Sequence, residues 1–310
     1  MAVFLKLNKE EISKLVKEYN LDLIRYEGII QGVQNTNYFI ETQQGKYILT
    51  ICEPEIDPDD LPFFNSAMLH AFNQKLPVPM PLQTTQGKFT TIIKGKPAGI
   101  ATFLEGTQAE ELTLPKIRKL GEFLGSFHKN MRSFTSIRNN PVAFGPVKDL
   151  IFKNEKIDTL ELGLATEVKN ELDFVGHHLP HDLPAGFIHA DVFPDNVFFN
   201  GDEVSGLIDF YFSATDFFAY DLAVVANAWC FDENGFVLNH DKLQTLLDAY
   251  NSVRLLEQAE TQAFYMLCRR AALRFFATRA WDKLYPKSNA EVGVKDPMEY
   301  VAKMRTWQQL

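Results

Sequence analysis

Apolar positions near the start of the chain fall three and four apart. Ile12, Leu15, Val16 and Tyr19 repeat at helical spacing, and Asn8 followed by Glu11 carries the signature of a capping box. After this helix the pattern turns to strands. "NYFIET", "GKYILTI" and "AGIATFL" are short runs of β-branched and aromatic residues, with Gly45 in the turn between the first two. A helix over about 61–76 interrupts them, and "PVPMP" ends it. From Thr113 onward helices dominate: Leu120, Leu124, Phe127 and Met131 fall on one stripe, and others are expected near 158–178, 241–253 and 258–283. A strand-rich front and a helix-rich back predict an α+β chain of two lobes, 1–104 and 105–310, linked by "FLEGT", Phe103 to Thr107. No internal repeat or low-complexity segment blurs that division.

Composition agrees with a globular protein. With 310 residues the chain has room for two cores, and 46% hydrophobic against 23% charged residues excludes disorder. A formal charge of −9 argues against nucleic acid or an anionic membrane as partner, so a polyphosphate ligand would need a metal or a few local cations. Cys52, Cys230 and Cys268 are odd in number and form no CxxC, which suits buried thiols in a reducing compartment. The start "MAVFLKLNKEEISKL" has no long apolar core or small-residue cleavage site, and "FFAYDLAVVANAW" is too short to span a bilayer. A cytoplasmic location is the expectation.

One stretch stands apart: "HADVFPDNVFFNGDEVSGLIDF", His189 to Phe210. Asn200 to Asp202, "NGD", is a strong hairpin turn between "VFF" and "VSGLID". Folding about it would bring Asp209 next to the loop that holds Asp191 and Asn196. Carboxylate and amide oxygens are hard ligands that Mg²⁺ accepts, and a second carboxylate could take a proton from an attacking hydroxyl. The bland alternative makes Asp191 and Asp195 turn caps and nothing more. It fits each residue singly but not the set, because kinases use H-x-D, four residues, Asn, then Asp before Phe. This chain gives His189, Asp191, Asn196, Asp209 and Phe210.

The segment resembles the catalytic loop and metal-binding strand of the aminoglycoside phosphotransferase-like kinases, which share the protein-kinase fold. "GFIHADVFPDNVFF", "SGLIDFYFSATDFFAYDLAVVANAWCF", "GKYILTI" and "DLPFF" resemble more closely the homoserine kinases of that superfamily. The resemblance implies a bilobal fold with a nucleotide-binding front lobe and a helical back lobe that carries the catalytic loop and acceptor site. It implies ATP and Mg²⁺ as cofactors and L-homoserine as the phosphorylated alcohol, on the route to threonine. By position, Asp191 becomes the base, His189 its support, and Asn196 and Asp209 the Mg²⁺ ligands. "QGVQNTNYF", with Gly32, Asn35 and Asn37, would cover the phosphates, while the backbone of Thr102, Phe103 and Leu104 would meet the adenine edge.

The pattern breaks at one place. Protein kinases carry a Lys at the end of V-A-I-K on the third strand, and here the aligned "YILT" ends in Thr50. Lys46 is four residues away, about 13 Å at 3.3 Å each, beyond its reach. The 61–76 helix also lacks a Glu to pair with such a Lys. Loss of both partners together points to a remodelled site, with the source of the α/β-phosphate contacts left open.

For the acceptor, a buried carboxylate asks for Arg. Residues 254–283 hold five Arg and one Lys against Glu257, Glu260 and Asp282, with Arg270 and Arg274 at i,i+4; an exposed basic face is the competing reading. Arg270, Arg274 and Arg279 are the candidates, with Tyr211 and Trp229 as pocket walls or ordinary core, and Asp221 as a buttress. A polycationic aminoglycoside would need the opposite charge balance. Other rival readings are a kinase for choline or methylthioribose, or an inactive nucleotide-binding module. "HHLPH", His177 to His181, has no HExxH or Cys partner and reads as a solvated helix end. No G-x-S-x-G, GxGxxG or Walker sequence is present.

Overall fold

The computed structural model describes residues 5–29, 35–54, 56–232, 234–286 and 295–310. They divide into two compact units, Met1–Gly106 with Ser205–Tyr211, and Thr107–Val204 with Phe212–Leu310. The sequence pattern placed the division after Leu104 and all later residues in one lobe. The observed units part at Gly106, and Ser205–Tyr211 returns to the first.

The first unit opens with helix α1 (Lys9–Glu18). Its start is the expected capping box: the Asn8 side chain accepts from the Glu11 amide, and the Glu11 carboxylate accepts from the Asn8 amide. Strands β1 (Leu23–Ile29), β2 (Thr36–Thr42) and β3 (Gly45–Ile51) follow, then α2 (Leu61–Asn73), β4 (Thr90–Ile93) and β5 (Lys96–Thr102). They form one antiparallel sheet in the order β1-β2-β3-β5-β4. Alternation along the strands separates its two faces. Tyr38, Ile40, Leu49, Ile51, Ala98 and Ile100 join Ile12, Leu15 and Val16 of α1 in one core. Asn37, Phe39, Ile48, Thr50 and Ala101 lie on the other face and are half-buried. Helix α2 stops three residues short of the expected 76. Lys75 takes φ 64°, and the Leu76 amide turns back to the Ala71 carbonyl at 3.1 Å, a Schellman-type ending.

The second unit contains β6 (Thr107–Gln108), α3 (Leu114–Met131), α4 (Phe144–Lys153), α5 (Leu164–His178), β7 (Ala185–Ile188) and β8 (Val197–Asn200). Strand β9 (Glu203–Leu207) carries the chain into the first unit. β10 (Ala214–Phe217), α6 (Phe218–Trp229), α7 (His240–Val253), α8 (Gln258–Leu284) and α9 (Met298–Trp307) complete the second. The "NGD" turn forms as expected, with Gly201 at φ 61° between β8 and β9. β7 pairs with β10, and β6 with β8. Helices α3 and α7 approach closely because α3 has no side chain at two contacts. A Cβ on Gly121 would meet the Leu246 carbonyl at 2.7 Å, and one on Gly125 the Tyr250 carbonyl at 3.0 Å. That approach lets His128 of α3 reach the Tyr250 hydroxyl of α7 at 2.7 Å. Helix α6 is apolar nearly all round and buried along almost its whole length, so it shows no amphipathic stripe. All three cysteines are buried thiols. Among the described residues no helix is long and apolar enough to cross a membrane.

Candidate active site

The loop after β7 has little regular structure, so its backbone groups need partners from elsewhere. Ala190 adopts φ 63°, a left-handed conformation that costs a non-glycine residue about 1–2 kcal/mol. Asp221 of α6 offsets that strain. Its two carboxylate oxygens accept from the His189 amide at 2.9 Å and the Ala190 amide at 2.8 Å. Burial alone would raise its pKa. Hydrogen bonds from His128 and the His189 amide, with the charge of nearby imidazoles, hold it below the ordinary value and keep it ionised. The Ala190 carbonyl accepts from Arg274 of α8, and the Val192 carbonyl from the Trp229 indole at 2.7 Å. The Asp191 carbonyl accepts from the Asn196 amide nitrogen at 2.9 Å, and the Asp191 amide donates to His189 Nδ1 at 3.3 Å. The sequence-predicted His189, Asp191 and Asn196 are therefore one hydrogen-bonded unit, with His189 in a supporting place.

The Asp191 carboxylate is 17% exposed, and its Oδ1 lies 3.7 Å from Arg274. Burial pushes its pKa up to about 6, partly countered by Arg274, Lys295 and the Asn196 hydrogen bond. Asn196 donates to Asp191 Oδ2 at 3.1 Å as well, which fixes its nitrogen on the Asp191 side and leaves its side-chain oxygen as an acceptor. An amide oxygen from Asn196 and the carboxylate of Asp209 are donors that suit Mg²⁺. Asp209 follows β9, belongs to the first unit and, like Ala190, has a left-handed backbone, φ 67°. Among the described residues no three His, Cys, Asp or Glu side chains gather to hold a metal by themselves. His177 and His178 bond carbonyls one turn back in α5, as a helix end would.

In the first unit, Thr50 and Asn37 face each other across β3 and β2, and the Thr50 hydroxyl donates to Asn37 Oδ1 at 2.8 Å. Tyr211 packs edge-on against Phe64, beside the cluster that Cys52, Ile56, Leu61 and Phe64 form. Asn35 is buried, and its oxygen accepts from the Glu53 amide at 3.2 Å, so its side chain serves the loop backbone. Gly32 lies outside the described residues. Two of the three backbone amides expected at the adenine edge have partners within the first unit. Thr102 donates to the Met80 carbonyl at 3.0 Å and Phe103 to the Lys46 carbonyl at 3.1 Å. Lys46 itself turns to Glu105 at 3.3 Å. The unit does hold a Lys–Glu pair, half-buried Lys96 with buried Glu53, which also accepts from Thr36. Lys96 falls two residues before Ala98 and Glu53 two after Ile51, in phase with the core-facing side chains, so the pair sits on the face away from Thr50.

The family model for the phosphotransferase enzyme family matches residues 25–256. The chain belongs to that family. The phosphotransferase is 41% identical over 312 residues to a homoserine kinase of Rhizobium rhizogenes, covering 100% of this chain and 97% of the relative. It is 43% identical over 302 residues to one of Methylorubrum populi, covering 97% and 94%. Among solved structures it is similar to a spectinomycin phosphotransferase in complex with ADP and spectinomycin, TM-score 0.71 at 13% identity, covering 99% and 100% of the two chains. A microcompartment-associated aminopropanol kinase gives TM-score 0.69 at 15% identity, with 97% of each chain covered. The fold is the expected protein-kinase-like α+β fold, and the protein is a small-molecule kinase.

Within the phosphotransferase the expected acceptor residues separate. Arg270 is bound to Asp216 through both terminal nitrogens, at 3.1 and 2.5 Å, and stacks over Tyr220 at 3.9 Å. An internal carboxylate, Asp216, thus engages its guanidinium in this structure. Trp229 exposes no surface and braces the loop instead of lining a pocket. Tyr211 belongs to the first unit, packed on Phe64, and the arginines of α8 belong to the second. Arg274 holds the Ala190 carbonyl, and Arg279 pairs with Glu299 at 2.5 Å while stacking over Tyr300 at 4.4 Å. Sequence reasoning missed Tyr300 of α9. It is fully buried, its hydroxyl has no hydrogen-bond partner among the described residues, and it feels the charges of Asp191, Arg274, Arg279 and Glu299. No motif surrounds it; only the packing of α9 on α8 puts it there.

Proposed function

We propose that this kinase transfers the γ-phosphoryl group of ATP to the hydroxyl of L-homoserine, giving O-phospho-L-homoserine on the route to threonine, in the cytoplasm. The observation that carries the substrate is the full-length likeness to homoserine kinases. Asp191 takes the role of base: it is held within hydrogen-bonding distance of Asn196, shielded from water, and oriented by a loop with partners for its backbone groups. Asn196 and Asp209 would hold Mg²⁺, which supplies charge neutralisation on the transferred phosphoryl group when bound. Arg274 and Arg279, with the Tyr300 hydroxyl, share the surroundings of Asp191 and suit the substrate carboxylate. This cationic setting disfavours aminoglycosides, and choline would ask for an aromatic cage with acidic groups. ATP consumption measured across homoserine, choline, methylthioribose and an aminoglycoside tests the assignment. Homoserine should be turned over with kcat/KM at least about a hundredfold above the others, roughly the discrimination that a recognised polar group confers. Preference for any other member of the panel overturns it.

A further inference from the structure

Behind the loop that carries Asp191, the second unit buries a set of polar groups far from any ligand. His128 of α3, Asp221 of α6, Tyr250 of α7 and Glu260 of α8 are fully buried, and Arg254, just past α7, is nearly so. Hydrogen bonds join them in one line. Arg254 holds Glu260 through Nη2 at 2.9 and 3.2 Å and reaches the Tyr250 hydroxyl through Nη1 at 3.1 Å. Tyr250 meets His128 Nδ1 at 2.7 Å, and His128 Nε2 meets Asp221 Oδ2 at 3.1 Å. Asp221 in turn takes the amides of His189 and Ala190, next to Asp191.

The protons in this line are fixed from the arginine end. A guanidinium can only donate, so the Tyr250 oxygen accepts from Arg254. The one phenolic proton then has a single acceptor among the described residues, His128 Nδ1. An imidazole that accepts at Nδ1 carries its proton at Nε2, where Asp221 takes it. A doubly protonated ring would set a second donor on the Tyr250 oxygen and strand the phenolic proton in a dry interior. Burial acts in the same direction, holding the His128 pKa below its ordinary value against the pull of Asp221. The other neutral tautomer would turn the Nε2 lone pair on a carboxylate oxygen that already holds a loop amide.

We propose that Tyr250 and Arg254 are positioning residues of this kinase: they hold His128 as the neutral Nε2–H tautomer and so keep Asp221 turned toward the two amides that set the place of Asp191. The inference rests on the reading of Asp191 as base, and it carries the support of the loop outward from Asp221 to α7 and α8. A buried ion pair adds little net stability, and fixing one arrangement is its best-attested use. Arg254 and Glu260 suit that use, because Glu260 also caps α8 by accepting from the Glu257 amide at 3.0 Å and is itself anchored.

¹⁵N NMR of the full chain reads the tautomer, with His128→Gln identifying the signal. His128 should be protonated at Nε2 alone from about pH 6 to 8, across the usual imidazole range. Tyr250→Phe should lower kcat per folded enzyme by about three- to tenfold, the worth of one hydrogen bond, and leave both KM values within about twofold. Arg254→Met alone would strand a buried carboxylate, so it is combined with Glu260→Leu, which removes the ion pair as a unit. That double variant should lose kcat to the same degree. Adding Tyr250→Phe to it, or to His128→Gln, should lower kcat no further, because all act along one line. An imidazolium or an Nδ1–H tautomer overturns the proposal. So do variants that keep kcat within about twofold, or whose KM values rise as kcat falls. If the unaltered protein phosphorylates no alcohol, or Asp191→Asn keeps full kcat, the reading of Asp191 fails instead; the NMR signal needs no turnover and still decides the hydrogen-bond line.

Discussion

On the proposed reading, the loop at Asp191 and the sheet face at Thr50 would both fix polar groups for a phosphorylated ligand, and they do so with opposite chemistry. Around the loop, charges are buried and paired: Asp221 takes two backbone amides, and Arg274 takes a carbonyl and lies near Asp191. On the sheet, the joined groups are a hydroxyl and an amide, Thr50 and Asn37. The difference follows from what each must hold when no ligand is bound. A loop with Ala190 in a left-handed conformation needs strong, permanent hydrogen bonds to stay in place. A face that meets phosphates can leave the charge to the ligand and to its cation, and so avoids an unpaired ammonium in a half-dry setting.

The comparison breaks most visibly at Asp191. Asp191→Asn should lower kcat by about 10²–10⁴, the usual contribution of a positioned base. The same change should stabilise the metal-free protein. Burial raises the carboxyl pKa from 3.8 to about 6, so the folded state favours the protonated form, and stability is lost as pH rises through that window. The asparagine variant should gain on the order of 3 kcal/mol at pH 8 and nothing near pH 4, read from urea unfolding at both values. A variant that is less stable at pH 8 contradicts the buried, costly carboxylate.

Asp221→Ala comes next. It leaves two loop amides unpaired beside a buried imidazole, and stability should fall by about 3–5 kcal/mol, with Asp221→Asn intermediate. Thr50→Lys tests the neutral face from the other side. It should cost about 1–3 kcal/mol in apo protein, and MgATP should recover part of that in thermal melts, without a large gain in kcat. A tenfold faster Thr50→Lys enzyme would mean that the ammonium was lost and never replaced. Arg274→Gln removes a charge that lowers the Asp191 pKa, so the acid limb of kcat/KM should move up from about pH 6, by about one pH unit. Trp229→Phe keeps the ring but loses the bond to the Val192 carbonyl; a loss of about 1 kcal/mol in unfolding free energy is the smallest effect expected.

Much of this fold was legible because it is written in local signals. The Asn8–Glu11 box, the stripe of α3 and the "NGD" turn each specify their element within a few residues, and each formed as expected. Helix α6 was not readable as a helix, since burial on every side erases its period, and α9 follows no motif. In the site, His189, Asp191 and Asn196 are readable because their spacing alone makes a hydrogen-bonded loop possible. The arginines were not, because three on one helix look alike in sequence, and only the fold decides that Arg270 meets Asp216, Arg274 the loop and Arg279 Glu299. The Tyr300 phenol belongs to the same class, invisible until α9 is packed.

The first unit is interrupted in sequence. Ser205–Tyr211 belongs to it, and Leu207 donates to the Pro77 carbonyl at 2.9 Å while Tyr211 packs on Phe64. On the ribosome this unit therefore cannot close when its first 106 residues emerge. It waits for roughly a hundred further residues, about 5–20 s at 5–20 residues per second, with its final segment still missing. During that interval the second unit is also partial, because α6 and α8, which supply Asp221 and Arg274, come later still. The first unit thus completes only once residue 211 has been made and the second only near the end of synthesis, and pausing translation just before residue 205 should leave a nascent chain that proteases cut readily in the β-sheet unit.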